Sequence, residues 1–190
     1  MGDFYESREG AEAYRRIARG YDGSALISTL KQHLTPGKRV LELGMGPGTD
    51  LLLLAQDYEV VGSDFSQAFL DLFAQEHPEI PVLCVDAERM NIEGRFDAIY
   101  SNKVLIHLSP EALRTSFAVQ LGVLSGPESL VLHAFWRGTG KEELKGETFY
   151  YYEPETVLDC AGSGWVEVDR GFYAEIDNED SFWILLRPAP

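Results

Sequence analysis

A glycine-rich segment between an apolar run and an amphipathic one constrains the fold of this chain more than any other feature. Residues 40–50 read Val-Leu-Glu-Leu-Gly-Met-Gly-Pro-Gly-Thr-Asp. The apolar run before Gly44 predicts a strand, and the leucines after Thr49 predict a helix. Glycines between them allow a tight turn and a close approach of a ligand to the backbone, because no Cβ stands in the way. Such a loop, at the carboxyl end of a strand, is where an open parallel sheet binds ligands.

Short apolar runs alternate with amphipathic segments after this loop. The predicted strands are residues 38–43, 59–62, 80–85, 96–100 and 129–136, and the predicted helices are 49–58, 66–77, 109–124 and 153–161. The tail predicts a hairpin of residues 165–176 and 181–187, with its turn at 177–180. Strand–helix alternation predicts parallel strands with helices on both faces, so the fold class is α/β, a three-layer sandwich. We expect a single domain over residues 1–190, with a helical cap at 1–34 and an α/β core at 35–190.

Composition excludes several classes of function. The chain has 16 Lys and Arg against 31 Asp and Glu, a formal charge of −15, which disfavours tight binding to nucleic acid or to an anionic membrane. Two cysteines cannot form a disulfide framework. The four histidines are scattered, without C-x-x-C or H-E-x-x-H, so no metal site is predicted. The opening Met-Gly-Asp-Phe-Tyr-Glu lacks the basic start and apolar run of a signal peptide, and a cytoplasmic protein is expected.

Two aspartates give the glycine loop a specific interpretation. Asp64 follows the second predicted strand and lies twenty residues after Gly44, where a carboxylate can accept both hydroxyls of a ribose. Asp86 follows the third predicted strand, where it can accept a hydrogen bond from an exocyclic amine. A solvated acid at a strand end would explain either residue alone. Both acids at the ends of successive strands, after a glycine loop, indicate a nucleoside-containing ligand.

Between about residues 14 and 187 the chain resembles the class I S-adenosylmethionine-dependent methyltransferases. The family's E-x-G-x-G-x-G motif matches Glu42, Gly44, Gly46 and Gly48. Its ribose acid matches Asp64, and its adenine acid matches Asp86 with Ala87 beside it. The resemblance implies a Rossmann-like sheet of seven strands in the order 3-2-1-4-5-7-6, the seventh antiparallel. It also implies S-adenosyl-L-methionine as cofactor and S-adenosyl-L-homocysteine as product.

The same resemblance implies further cofactor contacts around this motif. These contacts lie in the glycine loop, after the second and fourth strands, and before the first strand. They are Met45, Phe65, Ser66, Ser101, Asn102, Lys103 and Tyr21. Ser101 to Lys103 would border the methyl group. Helices before the first strand often cover the cleft in this family, so Tyr21 is a lid candidate, and it could equally anchor its own helix.

Candidates for substrate chemistry lie near the fourth and fifth strands. His107 and His133 could each act as a base, or could be satisfied by a helix start and by strand backbone respectively. Trp136, Tyr150 and Tyr151 could form an aromatic wall behind a mobile polar loop at residues 137–143, or could simply pack.

The function predicted from the sequence is methyl transfer to a small-molecule acceptor, in line and largely by proximity and orientation. Residues 101–104 read Ser-Asn-Lys-Val where amino-methylating DNA enzymes of the family carry N/D-P-P-Y/F, and with the net charge this disfavours a nucleic-acid substrate. One alternative is a non-catalytic cofactor-binding module that acts through a partner. Another is a nicotinamide-dependent oxidoreductase, which G-x-G-x-G spacing, Asp86 and the lack of a Tyr-x-x-x-Lys pair disfavour.

Overall fold

The computed structural model describes residues 7–18, 20–144, 146–177 and 179–190, and it contains six α-helices and nine strands within them. The helices are α1 Arg8–Ile17, α2 Ser24–His33, α3 Thr49–Leu54, α4 Gln67–Glu76, α5 Pro110–Val123 and α6 Pro154–Ala161. The strands are β1 Arg39–Leu43, β2 Glu59–Asp64, β3 Val82–Cys84, β4 Ala98–Asn102, β5 Leu130–Trp136, β6 Lys141–Leu144, β7 Glu147–Tyr150, β8 Trp165–Tyr173 and β9 Ser181–Pro188. A short 3-10 turn, Leu105–His107, links β4 to α5.

Seven of the strands form one sheet in the order β3-β2-β1-β4-β5-β9-β8. Strands β1 to β5 are parallel, and β9 runs antiparallel to both β5 and β8. Counted along this sheet alone, the order is 3-2-1-4-5-7-6 with the seventh antiparallel, so the predicted topology is confirmed. The terminal hairpin forms the edge of the sheet, with β8 outermost. Residue 178 of its predicted turn lies outside the described residues.

Helices cover both faces of this sheet, as the alternation of apolar residues predicts. Val40 packs among residues of α2, α3 and α4 on one face. Its neighbour Leu41 packs among residues of α5 and α6 on the other. This arrangement confirms the three-layer α/β sandwich and brings the carboxyl ends of β1 to β4 together at one edge.

Part of the polar stretch after β5 forms a second small sheet, so the predicted mobile loop at residues 137–143 is wrong for residues 141–143. Strands β6 and β7 pair antiparallel, with Lys141 opposite Tyr150. The exposed β6 has no alternation of apolar and polar residues. The sequence therefore lacked the pattern that predicts a strand. The hairpin is held by β7, because Glu147 is only 3% exposed and the Phe149 ring lies 4.7 Å from that of His107.

No helix in the described part of the chain is long and apolar enough to cross a membrane. Likewise, the described ranges hold no group of three or more His, Cys, Asp or Glu side chains placed to bind a metal.

Candidate active site

A cleft opens where β1, β2, β3 and β4 end. Its walls come from the glycine loop, the segments after these strands, α1 and α4. The lining residues are Tyr14, Leu43, Gly44, Gly46, Asp64, Phe65, Ser66, Phe69, Val85, Ala87, Asn102, Lys103, Val104 and His107. The cleft therefore contains several of the residues that the sequence predicts for cofactor binding.

The three loop glycines serve different purposes. All have positive φ, +66° at Gly44, +47° at Gly46 and +82° at Gly48. A Cβ at Gly44 would lie 2.5 Å from Cγ1 of Val104, and one at Gly48 would overlap the ring of Phe73. At Gly46 a Cβ would meet only Tyr14, at 3.9 Å. Two glycines thus allow the loop to pack closely, while Gly46 leaves open space on the side of the cleft.

Asp64 closes the loop from the end of β2. Its Oδ2 accepts a hydrogen bond from the Gly46 N–H at 2.8 Å, and its Oδ1 accepts one from the Ser66 N–H at 2.8 Å. Burial raises the pKa of this carboxyl group, and the hydrogen bonds from Ser66 and Gly46 partly offset that rise. Each carboxylate oxygen has a second lone pair. Asp64 can therefore accept ligand hydroxyls while it holds the loop.

Ser66 and Phe65 follow Asp64 along the rim. The Ser66 hydroxyl caps α4 by accepting a hydrogen bond from the Phe69 N–H at 3.3 Å, so its side chain is committed to the helix. The Phe65 ring is 40% exposed and also lines a neighbouring cavity. Phe65 thus presents an aromatic face that a flat ring could cover.

Glu42 and Met45 do not line the cleft, although the sequence predicts contacts for both. Glu42 is 3% exposed, and its Oε2 has no hydrogen-bond partner among the described residues. Burial, helped by Asp50 and Asp64, raises the pKa of Glu42 well above its usual value. Met45 is buried beneath the loop, since the inner face of the turn points into the core. Glu42 is therefore a buried acid behind the loop with an unpaired Oε2. Met45 belongs to the hydrophobic core.

The two residues that are predicted to contact adenine, Asp86 and Ala87, line two adjoining cavities. Ala87 lines the cleft itself. Asp86 lines the neighbouring cavity, which shares Phe65 and His107 with the cleft. Oδ1 of Asp86 accepts a hydrogen bond from the Glu88 N–H at 2.8 Å. The carboxylate of Asp86 therefore lies beside the cleft, shortly after the end of β3.

Ser101 and His133 lie outside the cleft, and the structure corrects both predictions. Both side chains are fully buried. The His133 Nε2–H donates to Oε1 of Gln120 at 2.9 Å, and its Nδ1 accepts from the Ser101 hydroxyl at 2.8 Å, because an amide oxygen can only accept. Burial lowers the pKa of His133 to about 3. Alternation along β4 turns Ser101 toward α5 and away from the ligand side, so His133 is a satisfied core residue.

Asn102 and Lys103, in contrast, both line the cleft. The Asn102 amide donates to Oδ2 of Asp50 at 3.2 Å. Asp50 is 8% exposed and also accepts from the Tyr100 hydroxyl at 2.7 Å and from the Gly23 N–H at 2.6 Å. Asp50 therefore joins the start of α2 to β4 and holds the Asn102 side chain. Sequence reasoning missed it, and the signal was an acid in the first turn of α3 beside the apolar run.

His107 is the one of the two candidate histidines that reaches the cleft. It lines both cavities, and its ring lies against Phe149. Burial lowers the pKa of His107, while Glu147 and the backbone of Thr148 counteract the effect. The imidazole is therefore neutral at pH 7 and can accept a proton.

Tyr14, and not Tyr21, covers the cleft from the N-terminal helices. The ring of Tyr14 packs edge-on against Phe69 at 5.8 Å, and burial together with Asp64, Glu175 and Asp50 raises its pKa. Tyr21 is 71% exposed and lies in a separate groove. The reason is local, since α1 ends before a left-handed turn at Gly20 (φ +89°) that carries residue 21 away.

The predicted aromatic wall is only partly at the site. Tyr150 lines the neighbouring cavity. Trp136 packs against Phe149 at 5.3 Å and stacks on Tyr151 at 5.9 Å, and the Tyr151 hydroxyl donates to Glu142 at 2.9 Å. Trp136 and Tyr151 therefore line neither cavity, and they form a packed row that supports the hairpin of β6 and β7.

Comparison with known proteins agrees with this geometry. Residues 40–125 match the family model described as a methyltransferase domain. The chain is 31% identical over 104 residues to the malonyl-[acyl-carrier protein] O-methyltransferase of Legionella pneumophila, covering 50% of this chain and 37% of that protein. It is 36% identical over 77 residues to the demethylmenaquinone methyltransferase of Beutenbergia cavernae, covering 40% and 32%. The chain thus matches about a third of the length of these curated relatives.

Similar solved structures extend the likeness over nearly the whole fold. The CcbJ methyltransferase of Streptomyces caelestis has a TM-score of 0.80 at 16% identity, with 98% of both chains covered. A magnesium protoporphyrin IX methyltransferase of Synechocystis has a TM-score of 0.77 at 18% identity, with 98% of this chain and 97% of that chain covered. The family model includes the glycine loop and the segments after β2, β3 and β4. The order of the strands in the sheet is the one that the family resemblance implies. On this evidence the chain shares the fold of these methyltransferases, and residues 40–125 resemble a methyltransferase domain.

Proposed function

We propose that the protein transfers a methyl group from S-adenosylmethionine to a small-molecule acceptor by direct in-line displacement. The observation that carries the proposal is the cleft in which Asp64 and the open side of Gly46 face each other. The names of two relatives, a demethylmenaquinone methyltransferase and a magnesium protoporphyrin IX methyltransferase, support a small-molecule acceptor.

The residues present fit this cofactor on two independent observations. The open space at Gly46 would admit the amino-acid part of the cofactor against the loop backbone. The unpartnered Oε2 of Glu42 lies behind the same loop, where a cationic group would offset the cost of its burial. Asp64 would hold the ribose hydroxyls, Phe65 and Ala87 would flank the adenine ring, and Asp86 would accept from its exocyclic amine.

The bound cofactor would supply a methyl group on a positively charged sulfur. The chain's own contribution is to hold the acceptor in line and to exclude water, because proximity and orientation supply much of the acceleration in a displacement of this kind. Asn102, held by Asp50, would border the methyl group, and Tyr14 would cover the cleft. His107, neutral at pH 7, would take a proton from an acceptor that retains one.

Calorimetric titration with S-adenosylhomocysteine, with NAD as the control ligand, tests the binding half of this proposal. We expect micromolar affinity for S-adenosylhomocysteine alone, about −8 kcal/mol. Asp64→Asn should weaken it at least tenfold, because a hydrogen bond to a charged group contributes about 1.5–3 kcal/mol. The matched variant Asp71→Asn, on the exposed face of α4, should leave it unchanged. Preference for NAD would favour the oxidoreductase instead.

Labelled methyl transfer to a pool of small nucleophiles tests the catalytic half. Incorporation into a small molecule is the expected result. Binding of S-adenosylhomocysteine without any transfer, in the presence or absence of cell extract, would favour a cofactor-binding module that acts through a partner.

A further inference from the structure

Lys103 holds a backbone conformation that is costly for any residue other than glycine. It follows β4 directly and has φ +59°, in the left-handed region that costs an ordinary residue about 1–2 kcal/mol. Its N–H donates to the Ala134 carbonyl on β5 at 3.2 Å. Glycine would adopt this turn without the penalty. A lysine at this point of the cleft indicates that its side chain has a use there.

The Lys103 ammonium is enclosed on the β5, β8 and β9 side of the cleft. Its side chain is 12% exposed and forms an ion pair with Glu175. Nζ also donates to the Ser181 hydroxyl at 2.6 Å. The ring faces of Tyr173 and Trp136 lie 5.0 Å and 5.8 Å from Nζ, at distances where a cation is attracted to the ring. The charge is thus fixed in one position.

One of the three N–H donors of this ammonium is used by neither Glu175 nor Ser181. An ammonium group has three N–H donors, and within the described ranges two of them go to Glu175 and Ser181. Lys103 lines the cleft between Asn102 and Val104. Among the described residues of that lining it is the one lysine or arginine. A ligand group beside it would have to accept a hydrogen bond.

This requirement discriminates between acceptor atoms. A neutral amine has a single lone pair, and that pair must attack the methyl carbon, so an amine cannot also accept from Lys103. A carboxylate or phenolate oxygen has further lone pairs, and can accept from an ammonium while it attacks. An adjacent positive charge also favours the ionised, nucleophilic form of such an oxygen.

We propose that Lys103 binds the methyl-accepting oxygen of an acidic small molecule, a carboxylate or a phenolate, and so makes the protein an O-methyltransferase. The inference rests on the proposed methyl transfer. The acceptor oxygen, already deprotonated, gives an electron pair to the methyl carbon as the carbon–sulfur bond breaks, and that bond's pair stays on sulfur. A sulfonium and an anion become a neutral thioether and an ester or ether, with no proton released.

Saturation-transfer NMR on protein loaded with S-adenosylhomocysteine tests the specificity directly. The probes are pairs that share one carbon skeleton: benzoate with benzylamine, cinnamate with cinnamylamine, and 1-naphthol with 1-naphthylamine. We expect the acidic member of a pair to bind and the amine not to. Lys103→Met should weaken acid binding at least tenfold. Lys38→Met should not, because Lys38 also forms an ion pair with an acid, Asp97, but lies at the opposite end of the sheet.

A second variant separates binding from folding. Lys103→Met alone leaves Glu175 without its ion-pair partner, so Lys103→Met/Glu175→Gln removes both charges together. We expect it to melt near the wild-type temperature, to keep measurable binding of S-adenosylhomocysteine, and to have lost acid binding. With labelled S-adenosylmethionine, label should appear in esters or ethers of the probes that are turned over.

Three results would overturn the inference: preference for the amines, no binding of any acid, or equal acid binding by wild type and Lys103→Met. Each of these leaves the proposed function standing if S-adenosylhomocysteine still binds. Failure to bind S-adenosylhomocysteine would instead remove the proposed function itself.

Discussion

Gly44→Ala tests whether the glycine loop is held as the structure describes. Gly44 has φ +66°, and a Cβ there would lie 2.5 Å from Cγ1 and 3.0 Å from Cβ of Val104. Rotation of the Val104 side chain cannot relieve this overlap, because its own Cβ is one of the crowded atoms. The substitution should therefore destabilise the protein through two separate effects.

Backbone strain and overpacking both contribute to this loss of stability. A left-handed alanine costs about 1–2 kcal/mol. Overpacking against a side chain that cannot move away adds about 1–3 kcal/mol. Gly44→Ala should thus lower the free energy of unfolding by about 2–5 kcal/mol. Val104→Ala removes both Cγ atoms and leaves only the 3.0 Å contact with its own Cβ. Most of the overpacking is then gone, so the two substitutions should couple favourably by about 1–3 kcal/mol.

Urea unfolding of the wild type, both single variants and the double variant, followed by circular dichroism, measures this coupling. Gly46→Ala is the comparison, since its Cβ would meet only Tyr14 at 3.9 Å. It should show the backbone cost alone, and should weaken S-adenosylhomocysteine binding because the added methyl group points into the cleft. Additive effects of Gly44→Ala and Val104→Ala, within about 0.5 kcal/mol, would refute the contact between the loop and the segment after β4.

Two further predictions concern the lid and the buried histidine. Tyr14→Ala should weaken S-adenosylhomocysteine binding about five- to tenfold, as expected for loss of an aromatic contact, whereas Tyr21→Ala should leave it within twofold; the reverse order in a titration would contradict the position of α1. Because burial lowers the pKa of His133 to about 3, the unfolded chain binds a proton below about pH 6.5 that the folded protein excludes. Stability should fall as the pH drops from 6.5 toward 3, by up to about 1.4 kcal/mol per pH unit from this group. His133→Gln should reduce that slope in urea unfolding between pH 7 and 5, and equal slopes would argue against a buried neutral imidazole.

The residues that the sequence predicted well are those whose position depends on local pattern. Gly44, Gly46 and Asp64 follow strands that are recognisable from their apolar runs, and the carboxyl ends of parallel strands meet at one edge of the sheet. Their places in the cleft could therefore be foreseen. The seven-stranded order came from the family resemblance, and the structure confirms it.

The residues that were misplaced depend on which face or element a side chain meets. Ser101 and Asn102 are neighbours on β4, and the alternation of the strand sends one to the helical layer and the other to the cleft. The hairpin of β6 and β7 was missed because its outer strand, Lys-Glu-Glu-Leu, is exposed and has no apolar alternation. Tyr21 was chosen over Tyr14 because the sequence does not show in which direction the turn at Gly20 carries the chain.

The sequence by itself determined the fold class, the ligand-binding edge of the sheet and the glycine loop, because these follow from hydrophobic periodicity and from spacings of a few residues. Only the tertiary structure decided which side chains share the cleft. Lys103 meets Glu175 across 72 residues of sequence, and Asp50 meets Asn102 across 52. Such pairs depend on the packing of distant elements, which no local pattern encodes. They position Asn102 and Lys103, the residues that we propose lie beside the methyl acceptor.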